Sequence, residues 1–167
     1  KNLKVGDTMK EDTDVRPMIS EDAAKRAEKW IEEAINMGAK ILCGGKRRGA
    51  FLEPTILLDV PHSSRIYKDE AFCPVICVEK IKNIDEAIKL VNDSKYGLQA
   101  GIFTKDLKTA LKFAKEVEVG GVNIGDVPTF RADPQPYGGV KGSGLGREGP
   151  YFAIEELTEI KSVCFNL

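Results

Sequence analysis

The 167 residues carry 25 Lys plus Arg against 26 Asp plus Glu, a net charge of −1 that offers no field of one sign to nucleic acid or to an anionic membrane. At 42% hydrophobic residues the composition is that of an ordinary globular protein, and no apolar run approaches the ~20 residues that cross a bilayer. Four cysteines, at 43, 73, 77 and 164, and the single His62 match no metal-ligand spacing, so no metal is expected. Cysteines inside apolar stretches, with no export signal, read as reduced thiols and point to the cytoplasm. The start at Lys1, without methionine or a charged-then-apolar leader, reads as a cut end.

Residues 20–37 read as a helix. Ala23, Ala27, Trp30, Ile31, Ala34 and Ile35 recur at three- and four-residue steps, Ser20 is a cap, Glu21 and Asp22 suit the positive end of the dipole, and Gly38 is the exit. Short strands are expected at 40–43 and 55–60, around a glycine-rich, basic turn at 44–49. A strand follows at 75–81. Asn83 with Glu86 then signals a helix burying Ile84, Ala87, Ile88 and Val91. Next come a strand at 99–104, a helix capped by Asp106 with Leu107, Ala110, Leu111, Ala114 and Val117 on one side, and a strand at 121–124. This order predicts right-handed crossovers joining three parallel strands, hence an α/β fold.

From Ile124 to about Gly149 no periodicity is visible, and the stretch holds three prolines and seven glycines. A long loop leaving the C-terminal end of a parallel strand is where α/β sheets place ligands. A helical turn near 152–156 and an alternating strand at 158–165 close the chain.

Two segments stand out: Asp69-Glu70-Ala71-Phe72-Cys73-Pro74-Val75 at the mouth of a strand, and Pro136-Tyr137-Gly138-Gly139-Val140-Lys141-Gly142-Ser143-Gly144 in the long loop. In this order and separation they resemble two signatures of the aldehyde dehydrogenase superfamily. The resemblance covers essentially the whole chain, which looks like the C-terminal third of such an enzyme. It implies that residues 1–156 are part of a catalytic domain, α/β and three-layered with a mainly parallel sheet. It also implies that 157–167 form an oligomerisation strand extending a neighbouring subunit's sheet, and so a homo-oligomer acting on a small aldehyde with NAD or NADP.

In the family, the counterpart of Glu70 accepts hydrogen bonds from both nicotinamide-ribose hydroxyls and that of Phe72 packs on the nicotinamide. A carboxylate suits two adjacent hydroxyls, and an aromatic face holds a flat ring. The bland alternative is a solvated loop charge beside a core phenylalanine. Cys73 stands where the family has glycine, with no base evident beside it, and reads as a small buried substitute. Tyr137 inherits a place on the aldehyde tunnel, joined by Phe130, while Lys141 reads as structural.

Phe130-Arg131-Ala132-Asp133 resembles the loop of members acting on lactaldehyde, glycolaldehyde or phosphonoacetaldehyde. Arg131 there either binds a substrate anion or pairs internally with Asp133. The glycines at 144, 146 and 149 satisfy a phosphate-binding fingerprint, yet too little chain follows for a dinucleotide unit. The family's nucleophilic cysteine and general base find no counterpart here, so no catalytic residue is assigned and the isolated chain is expected to be inactive. The rival reading is a non-catalytic binding or assembly module built on the same fold.

Overall fold

In the computed structural model, which describes residues 2–167, Ser20 opens the first helix by accepting the Ala23 N–H through its hydroxyl at 3.1 Å. The helix, α1, runs Glu21–Asn36 and buries Ala24, Ala27, Ile31 and Ala34. It ends at Gly38, whose φ of 113° is the left-handed exit. Strand β1 (Lys40–Cys43) follows, then the hairpin of β2 (Arg47–Arg48) and β3 (Phe51–Leu52), β4 (Thr55–Leu58), the short helix α2 (Arg65–Lys68) and β5 (Val75–Val78). The region read as a bare basic turn therefore contains a strand, because Arg47 and Arg48 pair with Leu52 and Phe51. The Arg47 guanidinium is held by Glu28 of α1 at 2.6 Å.

The contacts divide the chain into two compact units, one reaching to Lys80 and one starting at Ile81. The first has a three-stranded sheet in the order β1-β4-β5. Its β4 is antiparallel to β1 and parallel to β5. Ile31, Leu52, Leu57, Val60 and Ile66 are its largest buried apolar residues, each nearly solvent-free. Burial of such a side chain is worth roughly 1.5–3 kcal/mol, so this layer of α1 on the sheet dominates the unit's stability.

The second unit begins with α3 (Ile84–Asn92) and continues with β6 (Tyr96–Gly97), β7 (Gln99–Ile102), α4 (Leu107–Glu116), β8 (Gly121–Ile124), β9 (Val140–Lys141) and α5 (Pro150–Leu157). Asn83 Oδ1 accepts the Glu86 N–H at 2.9 Å while the Glu86 carboxylate accepts the Lys82 N–H at 2.6 Å, a reciprocal cap one residue out of the usual frame. Strands β7 and β8 are parallel, with Ala100 opposite Val122, and α4 makes the crossover. Ile88, Ala100, Phe113 and Val117 form the buried centre.

Two expectations need correction. Strand β5 pairs with β4 of its own unit and β7 with β8, so a parallel pair in each unit replaces the run of three parallel strands. Alternation marks which residues face a core but not which strand lies alongside. The strand expected at 158–165 is likewise not formed: after α5 the chain carries no regular structure, and Ile160, Val163 and Phe165 are exposed. A strand needs a ladder partner, and none is provided among the described residues. No helix among them is long and apolar enough to cross a membrane.

Asp106 caps α4, accepting the Thr109 hydroxyl at 2.6 Å and its N–H at 2.8 Å. These bonds, the hydroxyl first, hold its carboxyl below the usual carboxylate range. A depressed folded-state pKa stabilises above the unfolded value and is lost as pH falls through the folded one. Protection of the Thr109 amide against hydrogen exchange should therefore drop in acid, and Asp106→Asn, which keeps the acceptor, should flatten that dependence; equal acid sensitivity in both forms would refute it.

Candidate functional site

The turn between α2 and β5 is held from behind by α1. Glu33 accepts the Arg65 Nε–H at 2.7 Å and so fixes α2, while Arg26 donates to the Ala71 carbonyl at 3.1 Å. The Arg26 and Arg65 guanidinium groups also lie over the Trp30 ring, at 5.2 and 5.7 Å respectively. The Thr55 N–H donates to the Pro74 carbonyl at 2.9 Å, joining the turn to β4. Ala71 and Cys73 pack against the unit's core.

Alternation then sends Glu70 and Phe72 outward. Phe72 is 78% exposed on a backbone with φ of 45°. The Glu70 carboxylate is exposed and meets no hydrogen-bond or ion-pair partner among the described residues. A non-glycine residue in the left-handed region costs on the order of 1–3 kcal/mol and persists only where its surroundings hold it. An acceptor-only carboxylate with no protein donor, next to an uncovered aromatic face on an anchored turn, fits a vicinal diol and a flat ring. These residues thus suit a nicotinamide riboside. The alternative of Phe72 as a core residue does not hold.

At Cys73 the strained conformation is absent, since the left-handed residue is its neighbour Phe72. Cysteine is therefore accommodated where the resemblance has glycine. Burial pushes its thiol above the usual range, with Arg26 opposing, and burial does the same to Cys77. Such a thiol is poor in thiolate and is no activated nucleophile.

The long loop leaves β8 at Gly125 and is tied down along its length. Asn123 donates to the carbonyls of Val127 at 3.1 Å and Phe130 at 3.4 Å, leaving the Phe130 ring half-exposed. Strand β9 pairs antiparallel with β6, and Ser143 Oγ accepts the Gly97 N–H at 3.0 Å. Lys141, at φ 55°, donates to the Asn92 carbonyl and to Glu118, both at 2.8 Å, which is a structural role. A side chain at residue 120 would collide with the Gly138 carbonyl, so only glycine lets the loop lie this close to the start of β8.

Tyr137 and Glu148 bridge each other through two backbone hydrogen bonds, of 3.0 and 2.6 Å. Arg131 stacks on the Tyr137 ring at 4.2 Å and its Nη2 donates to the Glu148 carboxylate at 3.0 Å. The internal partner of Arg131 is thus Glu148 and not Asp133. Sequence reading passed over Glu148 because it lies in the glycine run treated as a false phosphate motif; its distance along the chain from Tyr137 hides the pairing. In that run Glu156 accepts the Arg147 N–H at 2.9 Å, and its carboxylate occupies the space a side chain on Gly146 would take. A cleft of about 470 Å³ lies between Tyr137, the loop's glycines and the Ala153–Leu157 side of α5. Glu70 and Phe72 belong to the first unit, and Phe130, Arg131 and Tyr137 to the second.

The aldehyde dehydrogenase family model matches residues 1–163. Among curated relatives, the 3-sulfolactaldehyde dehydrogenase of Priestia aryabhattai is 51% identical over 165 residues, covering 99% of this chain and 35% of that protein. The chain thus spans about a third of the length of the curated relatives it matches. Aldehyde dehydrogenase 21 of Physcomitrella patens, solved in complex with the reaction product succinate, matches with a TM-score of 0.92 at 49% identity, covering 94% of this chain and 33% of that one. The glyceraldehyde-3-phosphate dehydrogenase of Methanocaldococcus jannaschii, complexed with NADP, matches at 0.90 and 46% identity, covering 96% and 35%. The betaine aldehyde dehydrogenase of Staphylococcus aureus, in complex with NAD+, matches at 0.85 and 37% identity, covering 92% and 32%.

Because burial holds the Cys73 thiol protonated, its carbamidomethylation at neutral pH should be slower than that of a free model thiol and should accelerate only at a more alkaline pH. Peptide mapping after timed iodoacetamide exposure reads this, and faster labelling than the model thiol would contradict it.

Proposed function

Because the chain belongs to the aldehyde dehydrogenase family, we propose that the protein it is part of oxidises an aldehyde to a carboxylate with NAD or NADP. The observation that carries this reading is the anchored turn presenting an unpartnered Glu70 beside an outward Phe72. Glu70 accepts hydrogen bonds from the two hydroxyls of the nicotinamide ribose, and Phe72 holds the nicotinamide ring in register. The bound dinucleotide supplies the hydride acceptor.

Covalent chemistry in this reading belongs to parts of the protein outside the chain. A cysteine thiolate adds to the aldehyde carbonyl, and after oxidation a glutamate-activated water hydrolyses the thioester. The chain contributes a cofactor clamp and a substrate wall. Phe130 and Tyr137 line the path of the aldehyde, and Arg131 receives an anionic group on it. The names of three relatives fit such a group, since 3-sulfolactaldehyde and glyceraldehyde 3-phosphate each carry an anionic group and succinate carries two carboxylates; betaine aldehyde is instead a cation, so the choice of an anionic substrate rests on Arg131.

Residues 157–167 act as an assembly strand in this proposal. In an extended strand the exposed Val163 and Phe165 share one face and Ile160 lies on the other, so the segment offers apolar side chains and an unpaired backbone to a strand of another subunit. The four cysteines are free thiols, which suits a reducing compartment such as the cytoplasm.

In the full-length protein, Glu70→Gln should raise the KM for the dinucleotide about tenfold with little effect on the KM for aldehyde, as expected for loss of a charged acceptor. An unchanged cofactor KM would remove Glu70 from the clamp. The 167-residue chain alone should turn over no aldehyde with either dinucleotide above a protein-free control.

A further inference from the structure

Arg131 is pre-oriented by two contacts of different kinds. The guanidinium carbon lies over the Tyr137 ring, 4.2 Å from its centre, and Nη2 donates to the Glu148 carboxylate at 3.0 Å. Among the described residues only Nη2 is engaged, which leaves most of the five donors of the fork free to meet an oxyanion. The Arg131 and Glu148 side chains are 41% and 66% exposed. An ion pair in such contact with water is weak, and its arginine is readily shared with a second, bidentate anion. The backbone of Glu148 is bridged to Tyr137, the residue whose ring the arginine covers, so its carboxylate is kept within reach of Arg131 and of any anion that Arg131 receives.

We propose that Glu148 sets how strongly the site prefers aldehydes carrying a second, negatively charged group, by competing with that group for the Arg131 guanidinium. The inference rests on the reading of Arg131 as the receptor for a carboxylate, sulfonate or phosphate on the substrate. Glu148 touches no substrate in this scheme; it is a specificity-determining residue that acts through Arg131. Glu148→Gln keeps an oxygen acceptor at the same place and removes only the charge, so the orientation of Arg131 survives while the competitor is neutralised.

The test compares kcat/KM of the full-length enzyme for 4-oxobutanoate with that for butanal, its uncharged counterpart, each with saturating dinucleotide. Glu148→Gln should raise the anionic-to-neutral ratio about fivefold, as removal of one nearby like charge predicts, and the gain should shrink at high ionic strength. Glu148→Asp, which keeps the charge, should leave the ratio near that of the parent. Arg131→Gln should lower the ratio at least about tenfold, and adding Glu148→Gln to it should restore nothing. Any loss of fold or of general catalytic power lowers both substrates together and cancels in the ratio. A ratio unmoved or lowered by Glu148→Gln, with Arg131→Gln still lowering it, overturns the role of Glu148 and leaves the receptor standing. A ratio unmoved by Arg131→Gln overturns the receptor and the inference with it.

Discussion

The hydrogen bond from Arg26 to the Ala71 carbonyl is the constraint on which the presentation of the first motif depends. It reaches from the helix that carries the core to the middle of a turn whose next residue is held in the left-handed region. A phenyl ring standing in solvent on a strained backbone is unfavourable on both counts, so the turn must be set by its surroundings and not by its own preference. The ion pair of Arg65 with Glu33 and the bond from Thr55 to Pro74 complete the enclosure. What remains facing outward is what a diol and a flat ring require.

The second unit solves a similar problem with different chemistry. Lys141 is also left-handed, and its ammonium is anchored at both the end of α3, through the Asn92 carbonyl, and at Glu118. Asn92 in turn donates to the Glu116 carbonyl and accepts the Glu118 N–H, so the ends of two helices and one loop meet in a single polar network. A loop rich in glycine and proline gains order this way without an apolar core of its own. The cross-bridge of Tyr137 and Glu148 then gives the loop two short sides, and Arg131 folds onto them.

Parallel pairing explains why loops in the second unit emerge where they do. Strands β7 and β8 run in one direction, so the loop after β8 begins beside the end of β7, where the Gly125 N–H donates to the Ile102 carbonyl at 2.8 Å. Ligands in α/β proteins collect at such strand ends because several flexible connections converge there on a rigid base. In the first unit, parallel β4 and β5 carry the 69–74 turn into the sheet in register, with Thr55 opposite Val75.

Local elements were legible in the chain because their causes are local. Ser20, Asn83 and Asp106 cap the three long helices as their side chains dictate, and the strands at 40–43 and 121–124 have the bounds their apolar runs imply. Glu70, Phe72, Phe130, Arg131 and Tyr137 were singled out through the resemblance of their segments to aldehyde dehydrogenase motifs, and their roles stand as proposed. Tertiary structure alone decided that β5 lies beside β4, that the terminal segment forms no strand within this chain, and that Arg131 answers to Glu148 instead of Asp133. The physical reason is the same in each case: a side chain's periodicity and charge state what kind of neighbour it needs, whereas which neighbour it obtains depends on backbone pairings between residues remote in sequence.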